Sequence, residues 1–370
     1  MRYIPIRELK GNEILGATLT NAKMQTLAKK GTLLTPKIID RISRYGIQSV
    51  YVSDGPIEDE LEEEIKDTIS PHTRINSTNK IKQSFDKFQS KVVMQKTSLK
   101  YGDTGQDLYK GLQDISNDLI HEILLSKNTR VMMNDIKTAS DYCYQHSINV
   151  AVLSLIIGTS LGLNSQSLQD LALGALLCDI GIQFVDESIL SKKEELSKSE
   201  LSTIQSHSTI GYEYLRDNTN FNAHVKSIVL QHHERMDGSG YPKGLKGDQI
   251  HPLAKIVMIA DVYDAMTSDR PQRTGYNQHD TIEYIMAHAH NKFDFETANF
   301  FARKIVPYPV GTYVKLTNSQ KGVVTKNNPS HPLRPVVRTF GKSSITHNND
   351  VRLDLLEHHN VVIDKIIHHL

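Results

Sequence analysis

Hydrophobic and polar positions change their spacing along this chain, and the changes divide it into segments. Between residues 108 and 306, apolar residues recur at intervals of three and four, which predicts an almost wholly helical segment. Before it, short apolar runs alternate with one amphipathic run, and after it β-branched runs are separated by Asn, Ser, Gly and Pro. The pattern predicts a mainly α protein with a small N-terminal α/β module and a short C-terminal β-rich segment.

The same changes set the predicted domain bounds. They are residues 1–55 for the α/β module, 56–107 for a charged connector, 108–306 for the helical domain and 307–370 for the β-rich segment. In the module, strands are predicted at Ile4–Ile6 and Ser49–Val52, a turn into a strand at Gly31–Leu34 and a helix at Pro36–Tyr45. The connector begins with an acidic run, which is typical of a solvated linker or helix face, and it continues into a helix.

Individual elements follow from the same reasoning. Apolar spacing predicts helices over residues 112–125, 139–163, 167–177, 200–215, 224–233, 253–266 and 281–290. Ser197 followed by Glu200 is a capping-box pattern that starts one of them. Strands are predicted over residues 311–316, 321–325 and 335–340. The final histidines lack a metal-site spacing with carboxylates or Cys, so we interpret them as a polar tail: His358, His359, His368 and His369.

Composition narrows the class of protein. The chain has 370 residues and a formal net charge of +1, which argues against a long nucleic acid or an anionic membrane surface as the main partner. Cys143 and Cys178 both lie in apolar helical stretches, which argues against a disulfide framework. The N-terminus lacks a signal-peptide pattern and the apolar runs are too short or too broken to span a bilayer, so we expect a cytoplasmic protein without membrane insertion.

Candidate chemistry begins at residues 232–242, which read His-His-Glu-Arg-Met-Asp-Gly-Ser-Gly-Tyr-Pro after an apolar helical run. Imidazoles bind divalent first-row metals and glycines let the backbone approach an anion, so a metal and a phosphate could meet here. Asp261 lies in an apolar helix, where an unpaired carboxylate is costly. Further candidate ligands lie on separate predicted helices: His146, Cys178, Asp179 and His207. A lone histidine of this kind is more often a satisfied core residue, but the set together predicts a metal site.

The order of these motifs resembles a known family. The chain carries His146-x-x-Asn149-Val-Ala, Asp179-Ile-Gly181, His207, the 232–242 string and Asp261-Val-x-Asp264-Ala-x-Thr-Ser-x-Arg270-Pro. Over residues 110–305 this resembles the HD-GYP domain, a branch of the HD metal-dependent phosphohydrolases, and the 232–242 string is highly specific to it. The N-terminal module and the C-terminal β segment also resemble the flanks of related bacterial proteins.

The resemblance implies a bacterial enzyme that hydrolyses cyclic di-GMP to linear pGpG, to GMP or to both, with water activated by metal ions. It implies two divalent ions, iron or manganese, with Asp179 bridging them. The implied ligands are His146, Asp179, His207, His232, His233 and Asp261, of which Asp179, His207 and Asp261 also have catalytic roles. The implied substrate-binding residues are Asn149, Tyr241, Arg270 and Arg273.

Four positions depart from the family pattern. Cys178 replaces the His of the His-Asp pair, Ile182 replaces a Lys, Tyr142 replaces the Glu of members with a third metal, and Gln272 replaces a Tyr. A trinuclear site is therefore not expected. Cys178 is either a seventh ligand as a thiolate, which favours zinc, or a small buried apolar residue beside a weakened first metal.

Three functions remain open on these residues. The first is the cyclic di-GMP phosphodiesterase. The second is a catalytically impaired domain that acts as a cyclic di-GMP receptor or as an interaction scaffold, for example for a diguanylate cyclase with a GGDEF domain. The third is an HD-type hydrolase of another phosphoester, which leaves the Gly-Tyr-Pro string unexplained. A homodimer is a further expectation.

Overall fold

A computed structural model describes residues 2–20, 25–45, 47, 49–53, 68–94, 103–126, 142–192, 194–268, 275–340 and 351–367. The chain divides into two compact units. The first comprises Met1–Asp67, Arg130–Tyr142 and Arg303–Leu370, and the second, the helical unit, comprises Thr68–Thr129 and Cys143–Ala302. The mainly α fold class, with a small N-terminal module and a C-terminal sheet, is confirmed.

The N-terminal module is built on an antiparallel three-stranded sheet in the order β1-β5-β2. Its elements are β1 (Arg2–Pro5), β2 (Ile14–Leu15), β3 (Leu19–Thr20), β4 (Thr26–Ala28), α1 (Pro36–Arg44) and β5 (Ser49–Ser53). Ile4, Leu15, Ile42 and Val50 form the centre of its apolar core. The two predicted strands and the helix are present. The predicted third strand is wrong, because the chain after the Gly31 turn makes only an isolated bridge from Leu33 to Ile14.

The helical unit holds the candidate site. Its helices are α2 (Pro71–Met94), α3 (Asp103–Leu125), α4 (Tyr142–Ser160), α5 (Ser165–Leu177), α6 (Glu187–Leu190), α7 (Lys198–Gln205), α8 (His207–Asn218), α9 (Ala223–Gln231), α10 (Pro252–Thr267), α11 (Gln278–Ala287) and α12 (Phe295–Lys304). Every residue of α4 from His146 to Gly158 is buried, as expected of a helix that is apolar on all sides. A close contact joins α5 to α9, because a Cβ at Gly174 would overlap the side chain of Ile228.

One predicted helix is divided in the structure. The apolar pattern over residues 200–215 predicts a single helix, but α7 ends and α8 begins around Ser206. The predicted capping box at Ser197 and Glu200 is present at the start of α7. The interruption coincides with a backbone contact, since a Cβ at Gly181 would overlap the carbonyl oxygen of His207. As a result, His207 is the first residue of α8.

Two helices lie in segments that were predicted to be helical without bounds. Helix α2 lies in the predicted connector and packs against α3, with Ile81 and Phe85 buried. Helix α12 follows α11 and buries Phe301 against Tyr263 of α10. The acidic run that opens the connector lies outside the described residues.

The C-terminal segment is a five-stranded antiparallel sheet in the order β10-β6-β7-β8-β9. Its strands are β6 (Tyr313–Leu316), β7 (Lys321–Lys326), β8 (Val336–Thr339), β9 (Val351–Asp354) and β10 (Ile363–Ile366). The three predicted strands are present, but the interpretation of the end of the chain as a polar tail is wrong, because β10 pairs with β6 and buries Ile363. His358 and His359 lie between β9 and β10, whereas His368 and His369 lie outside the described residues.

Among the helices of the described residues, none is both long enough and apolar enough to cross a membrane.

A buried carboxylate organises the first turn of the N-terminal module. Glu13 accepts hydrogen bonds from the backbone N–H groups of Lys10 at 2.7 Å, Gly11 at 2.9 Å and Asn12 at 3.1 Å. Burial raises the pKa of Glu13, but these hydrogen bonds outweigh it and hold the pKa below its ordinary value. Glu13 is therefore ionised at neutral pH and stabilises the turn.

We expect Glu13→Gln to destabilise the module by about 1–3 kcal/mol at neutral pH, because an amide cannot accept all three bonds. The native pKa is lowered, so this contribution is complete above the unfolded pKa of about 4.3 and disappears as the pH falls through the native pKa. Hydrogen exchange of the β5 amides at pH 7 and at acidic pH measures the difference. Asp40→Asn is the control, since the Asp40–Arg44 pair is exposed and contributes about 0.3–0.5 kcal/mol. Equal effects of the two variants would contradict this assignment.

Candidate metal centre

The site is centred on the carboxylate of Asp179, which follows α5 directly and is half-buried. Its Oδ1 atom lies 3.2 Å from Nε2 of His207 and 3.6 Å from Nε2 of His232. Its Oδ2 atom lies 3.5 Å from Nε2 of His146. One carboxylate therefore faces imidazoles from three helices, α4, α8 and the end of α9.

The orientation of two of these imidazoles is fixed by the backbone. Nδ1 of His207 lies 2.7 Å from the carbonyl oxygen of Ile204, and Nδ1 of His232 lies 2.9 Å from that of Val229. A carbonyl oxygen only accepts, so both Nδ1 atoms carry hydrogen, and in the neutral rings both Nε2 atoms present lone pairs. These Nε2 atoms lie 3.3 Å apart. Two lone pairs at this distance repel each other unless a cation or a proton lies beside them, so the donor set fits a metal ion.

The group continues through His233 and Asp261. Nδ1 of His233 lies 3.5 Å from Oδ2 of Asp261, and Oδ1 of Asp261 lies 3.2 Å from Nε2 of His146. One ligand atom each from Asp179, His207, His232 and His233 all fall within 4.8 Å of one another. This spacing is close enough for a shared metal ion. The structure thus brings together six of the predicted ligands: His146, Asp179, His207, His232, His233 and Asp261.

Charges within the site favour metal binding. Partial burial opposes ionisation of Asp179, but the imidazoles of His207 and His232 beside it hold its pKa well below the ordinary value. Burial likewise opposes ionisation of Asp261, but the neighbouring imidazole of His146 outweighs burial and lowers its pKa. Burial and the neighbouring His232 depress the pKa of His233. Two carboxylates and a neutral imidazole are therefore available as ligands at neutral pH.

The proton of His207 behaves differently. Burial lowers the pKa of His207, but the hydrogen bond to Asp179 outweighs burial and raises it. A proton on Nε2 would relieve the lone-pair contact with His232 in the metal-free protein. A metal ion would have to displace that proton, so metal binding is expected to weaken as the pH falls.

Cys178 is fully buried at the end of α5 and is not one of the four clustered ligands. Burial raises the pKa of its thiol well above the ordinary value, and the charges of Asp179 and Asp261 raise it further. The thiol is therefore protonated in the metal-free protein.

The loop that follows His233 is anchored by Glu234. Its fully buried carboxylate accepts hydrogen bonds from the backbone N–H groups of Lys243 at 2.8 Å and Leu245 at 2.9 Å. Gly240 lies so close to the backbone of Glu234 that a Cβ atom would overlap it. The ring of Tyr241 stacks on His233 with centroids 4.6 Å apart and an interplanar angle of 27°. The loop therefore places Tyr241 directly beside the ligand group.

The predicted substrate-binding residues have separate positions. Tyr241 borders the metal ligands, whereas Asn149 has no exposed surface and its amide contacts Arg74 and Asp264. Asn149 therefore supports the ligand group through Asp264, and its role in substrate binding stays a prediction. Arg270 and Arg273 lie outside the described residues.

Two residues beside the ligands received no role from the sequence. Asp264 accepts from Nδ1 of His146 at 2.7 Å, and Glu234 anchors the loop. Both lie within the quoted motifs. The signal for Asp264 was its position three residues after Asp261 in an apolar helix, which places both carboxylates on one helix face.

Comparison with known proteins shows what parts of the chain are similar to. Residues 130–297 match the family model of the HD domain. The match extends from α4 into α12, so this part of the helical unit is similar to an HD domain. Residues 313–369 match the model of a KOW domain associated with the HD domain, which covers the C-terminal sheet. An HDG"Y"P protein from Bdellovibrio bacteriovorus matches in structure with a TM-score of 0.49 and 18% identity, over 81% of this chain and 98% of that chain.

Curated relatives are named as phosphodiesterases. A cyclic di-GMP phosphodiesterase of Pseudomonas aeruginosa is 34% identical over 61% of this chain and 55% of its own length. A 3'3'-cGAMP-specific phosphodiesterase of Vibrio cholerae is 38% identical over 43% of this chain and 36% of its own length. The chain thus spans about half the length or less of these curated relatives.

Metal binding to this group can be tested by substitution of one ligand. We expect Mn²⁺ to raise the Tm of the protein, since a ligand at 100 times its Kd stabilises by about 2.7 kcal/mol. His232→Ala should abolish the response. His224→Ala is the matched control, because His224 lies on the same helix α9 but pairs with His251 outside the group. An unchanged Mn²⁺ response in His232→Ala would contradict the assignment.

The anchoring role of Glu234 gives a second prediction. Glu234→Gln should lose one of the two backbone hydrogen bonds and destabilise the loop by about 1–3 kcal/mol, because a buried N–H is left opposite an NH₂ group. Hydrogen exchange at the Lys243 and Leu245 amides should accelerate accordingly. Asp237→Asn changes an exposed carboxylate in the same loop and should alter exchange by less than about 0.5 kcal/mol. Unchanged protection in Glu234→Gln would disprove the anchor.

Proposed function

We propose that this protein is a metal-dependent phosphodiesterase that hydrolyses cyclic di-GMP to linear pGpG, to GMP or to both. The observation that carries the proposal is the convergence of the His207 and His232 Nε2 atoms on Asp179, in an arrangement that fits a cation. The HD-domain match and the names of the relatives support the phosphodiesterase class.

The ligand geometry supports two metal positions. Oδ1 of Asp179 faces His207 and His232, whereas Oδ2 faces His146, which also contacts Asp261. Each oxygen of Asp179 would then belong to a different ligand set. When bound, a pair of divalent ions supplies Lewis acidity that activates water and stabilises charge on a scissile phosphate.

We propose iron or manganese as the ions. Three imidazoles and two carboxylates suit either metal. Zinc becomes the better candidate if Cys178 binds as a thiolate. The thiol must then lose its proton, and burial opposes that loss because it raises the pKa of the thiol.

The chain's own residues contribute orientation and charge. Asp264 accepts a hydrogen bond from Nδ1 of His146, so the unprotonated Nε2 points towards Asp179 and Asp261. The loop held by Glu234 keeps Tyr241 at the rim, where its ring can border a nucleotide. We propose that Arg270 and Arg273 neutralise phosphate charge, as guanidinium groups do in bidentate contacts.

A second function is favoured by two specific residues. Cys178 replaces an imidazole, and the half-buried Ile182 supplies no charge where the family has Lys. A site weakened in this way would bind a cyclic dinucleotide without turnover, as a receptor or as a scaffold for a diguanylate cyclase. We also propose a homodimer, an expectation that rests on the sequence resemblance alone.

Product analysis separates these functions. The purified protein, loaded anaerobically with Mn²⁺ or Fe²⁺, should convert cyclic di-GMP to the linear product, and 3'3'-cGAMP is the competing substrate. Asp179→Asn should reduce turnover by at least about 100-fold if it holds both metal positions, while His224→Ala should leave turnover unchanged. Nucleotide binding without product from either dinucleotide would overturn the enzyme and leave the receptor.

The contribution of Cys178 is tested in the same assay. Cys178→His should raise turnover sharply if weak metal binding limits an existing enzyme, and it should do little in a pure binding module.

A further inference from the structure

A chain of hydrogen bonds links the ligand His146 to a residue far upstream. Nδ1 of His146 donates to Oδ2 of Asp264 at 2.7 Å, and Nδ2 of Asn149 donates to Oδ1 of the same carboxylate at 2.9 Å. Nη1 of Arg74, on α2, then donates to Oδ1 of Asn149 at 2.7 Å. The order is Arg74, Asn149, Asp264, His146.

Because two of these four residues are fully buried, a mismatch of donor and acceptor in any of these hydrogen bonds would be costly. Asn149 and Asp264 are fully buried, and Arg74 is half-buried. A buried carboxylate is stable only when its oxygens face donors. Asp264 has Asn149 on Oδ1 and His146 on Oδ2, where Ser268 Oγ makes a longer contact at 3.4 Å. If the side-chain amide of Asn149 were rotated by 180°, its oxygen would face the Asp264 carboxylate. The repulsion between the two acceptors would displace Asp264, which is the hydrogen-bond partner of His146.

Arg74 and Asp264 fix the orientation of the Asn149 amide from its two ends. A guanidinium group has only donors, so the atom of Asn149 that faces Arg74 must be the oxygen. The NH₂ group of Asn149 must then face Asp264. Asp264 in turn keeps hydrogen on Nδ1 of His146 and leaves Nε2 as a metal ligand, 3.2 Å from Asp261 and 3.5 Å from Asp179.

Arg74 lies outside the residues that match a family model. It precedes the HD-domain match at residues 130–297, and helix α3 lies between them in the sequence. Helix α2 is held in place by its packing against α3 and by a contact between Lys80 and Asp118 at 3.1 Å. Helix α2 also contacts α4, the helix that carries His146, because Phe85 packs edge-on against Tyr144 and the Tyr144 hydroxyl donates to Asp86 at 3.2 Å. The packing of α2 against α3 and α4 therefore sets the position of Arg74.

We propose that Arg74 is a positioning residue for the metal centre, acting through Asn149 and Asp264 to orient His146. Helix α2 is thereby part of the architecture of the site. The proposal rests on the proposed function only in assuming that His146 binds a metal ion, and it holds whether or not a cyclic dinucleotide is hydrolysed.

The test is the affinity for Mn²⁺ of Arg74→Met, measured by titration of the full-length protein. Loss of partners that orient a ligand typically lowers metal affinity by about 10–100-fold, and we expect a change of this size. Lys80→Met is the matched control, since it removes a cation and an α2–α3 contact from the same helix without reaching the site. Lys80→Met should bind Mn²⁺ like the parent protein.

Two further variants keep the proposal open to refutation if Arg74→Met does not fold. Arg74→Lys retains a hydrogen-bond donor and should bind Mn²⁺ more tightly than Arg74→Met. If only Arg74→Lys folds, it should bind Mn²⁺ more weakly than the parent protein. In a protein that already carries Asp264→Asn, Arg74→Met should have no additional effect, because the route to His146 is already interrupted. Parental Mn²⁺ affinity in the Arg74 variants, or fully additive effects in the double variant, would overturn the proposal.

The outcomes distinguish this inference from the proposed function. Weaker Mn²⁺ binding in Arg74→Met, in a protein that turns over no cyclic dinucleotide, upholds the positioning role and rejects the enzyme. Parental Mn²⁺ affinity and parental turnover in Arg74→Met reject the positioning role and uphold the enzyme.

Discussion

The carboxylate of Asp179 is the interaction on which the site depends. Its two oxygens face imidazoles from three separate helices, and its ionised state is favoured by the hydrogen bonds that those imidazoles provide. Without a negative charge at this point, His207 and His232 would face each other through lone pairs at 3.3 Å. The same charge attracts a cation to the cluster. Asp179 thus links α4, α8 and the end of α9 through the histidines that each contributes.

The surrounding backbone is shaped to keep this arrangement. Gly181 allows the carbonyl of His207 to approach the turn after Asp179, and that contact coincides with the division of α7 from α8. Glu234 and Gly240 close the loop that carries Tyr241 against His233. These residues touch no metal in our account, yet they determine where the ligands lie. Removal of a buried polar partner leaves an unsatisfied group, which costs about 1–3 kcal/mol in each case.

Much of the fold followed from the sequence because long periodic runs dictate buried helices. The ligand group also followed, since His146, Asp179, His207, the paired histidines and Asp261 carry a specific motif order. The break at Ser206 did not follow, because it coincides with a contact with Gly181 that joins residues distant in sequence. Strand β10 was missed because its apolar positions are few and it is held by its pairing with β6.

Roles were harder to predict than positions. Asn149 was expected to bind substrate, yet its amide is buried between Arg74 and Asp264. No pattern in the sequence links Arg74 to Asn149, since hydrogen bonds between side chains 75 residues apart exist only in the folded chain. For Cys178, the residue type alone marked a departure from the family pattern. Whether its thiol binds a metal ion depends on whether that ion displaces the thiol proton.

The central claim is that Asp179 joins two metal positions, and electron paramagnetic resonance of the Mn²⁺-loaded protein tests it most directly. The account predicts the spectrum of an exchange-coupled Mn²⁺ pair at saturating metal, and it predicts that Asp179→Asn loses the coupling. A spectrum of isolated Mn²⁺ alone in the parent protein, under the same conditions, would contradict the account.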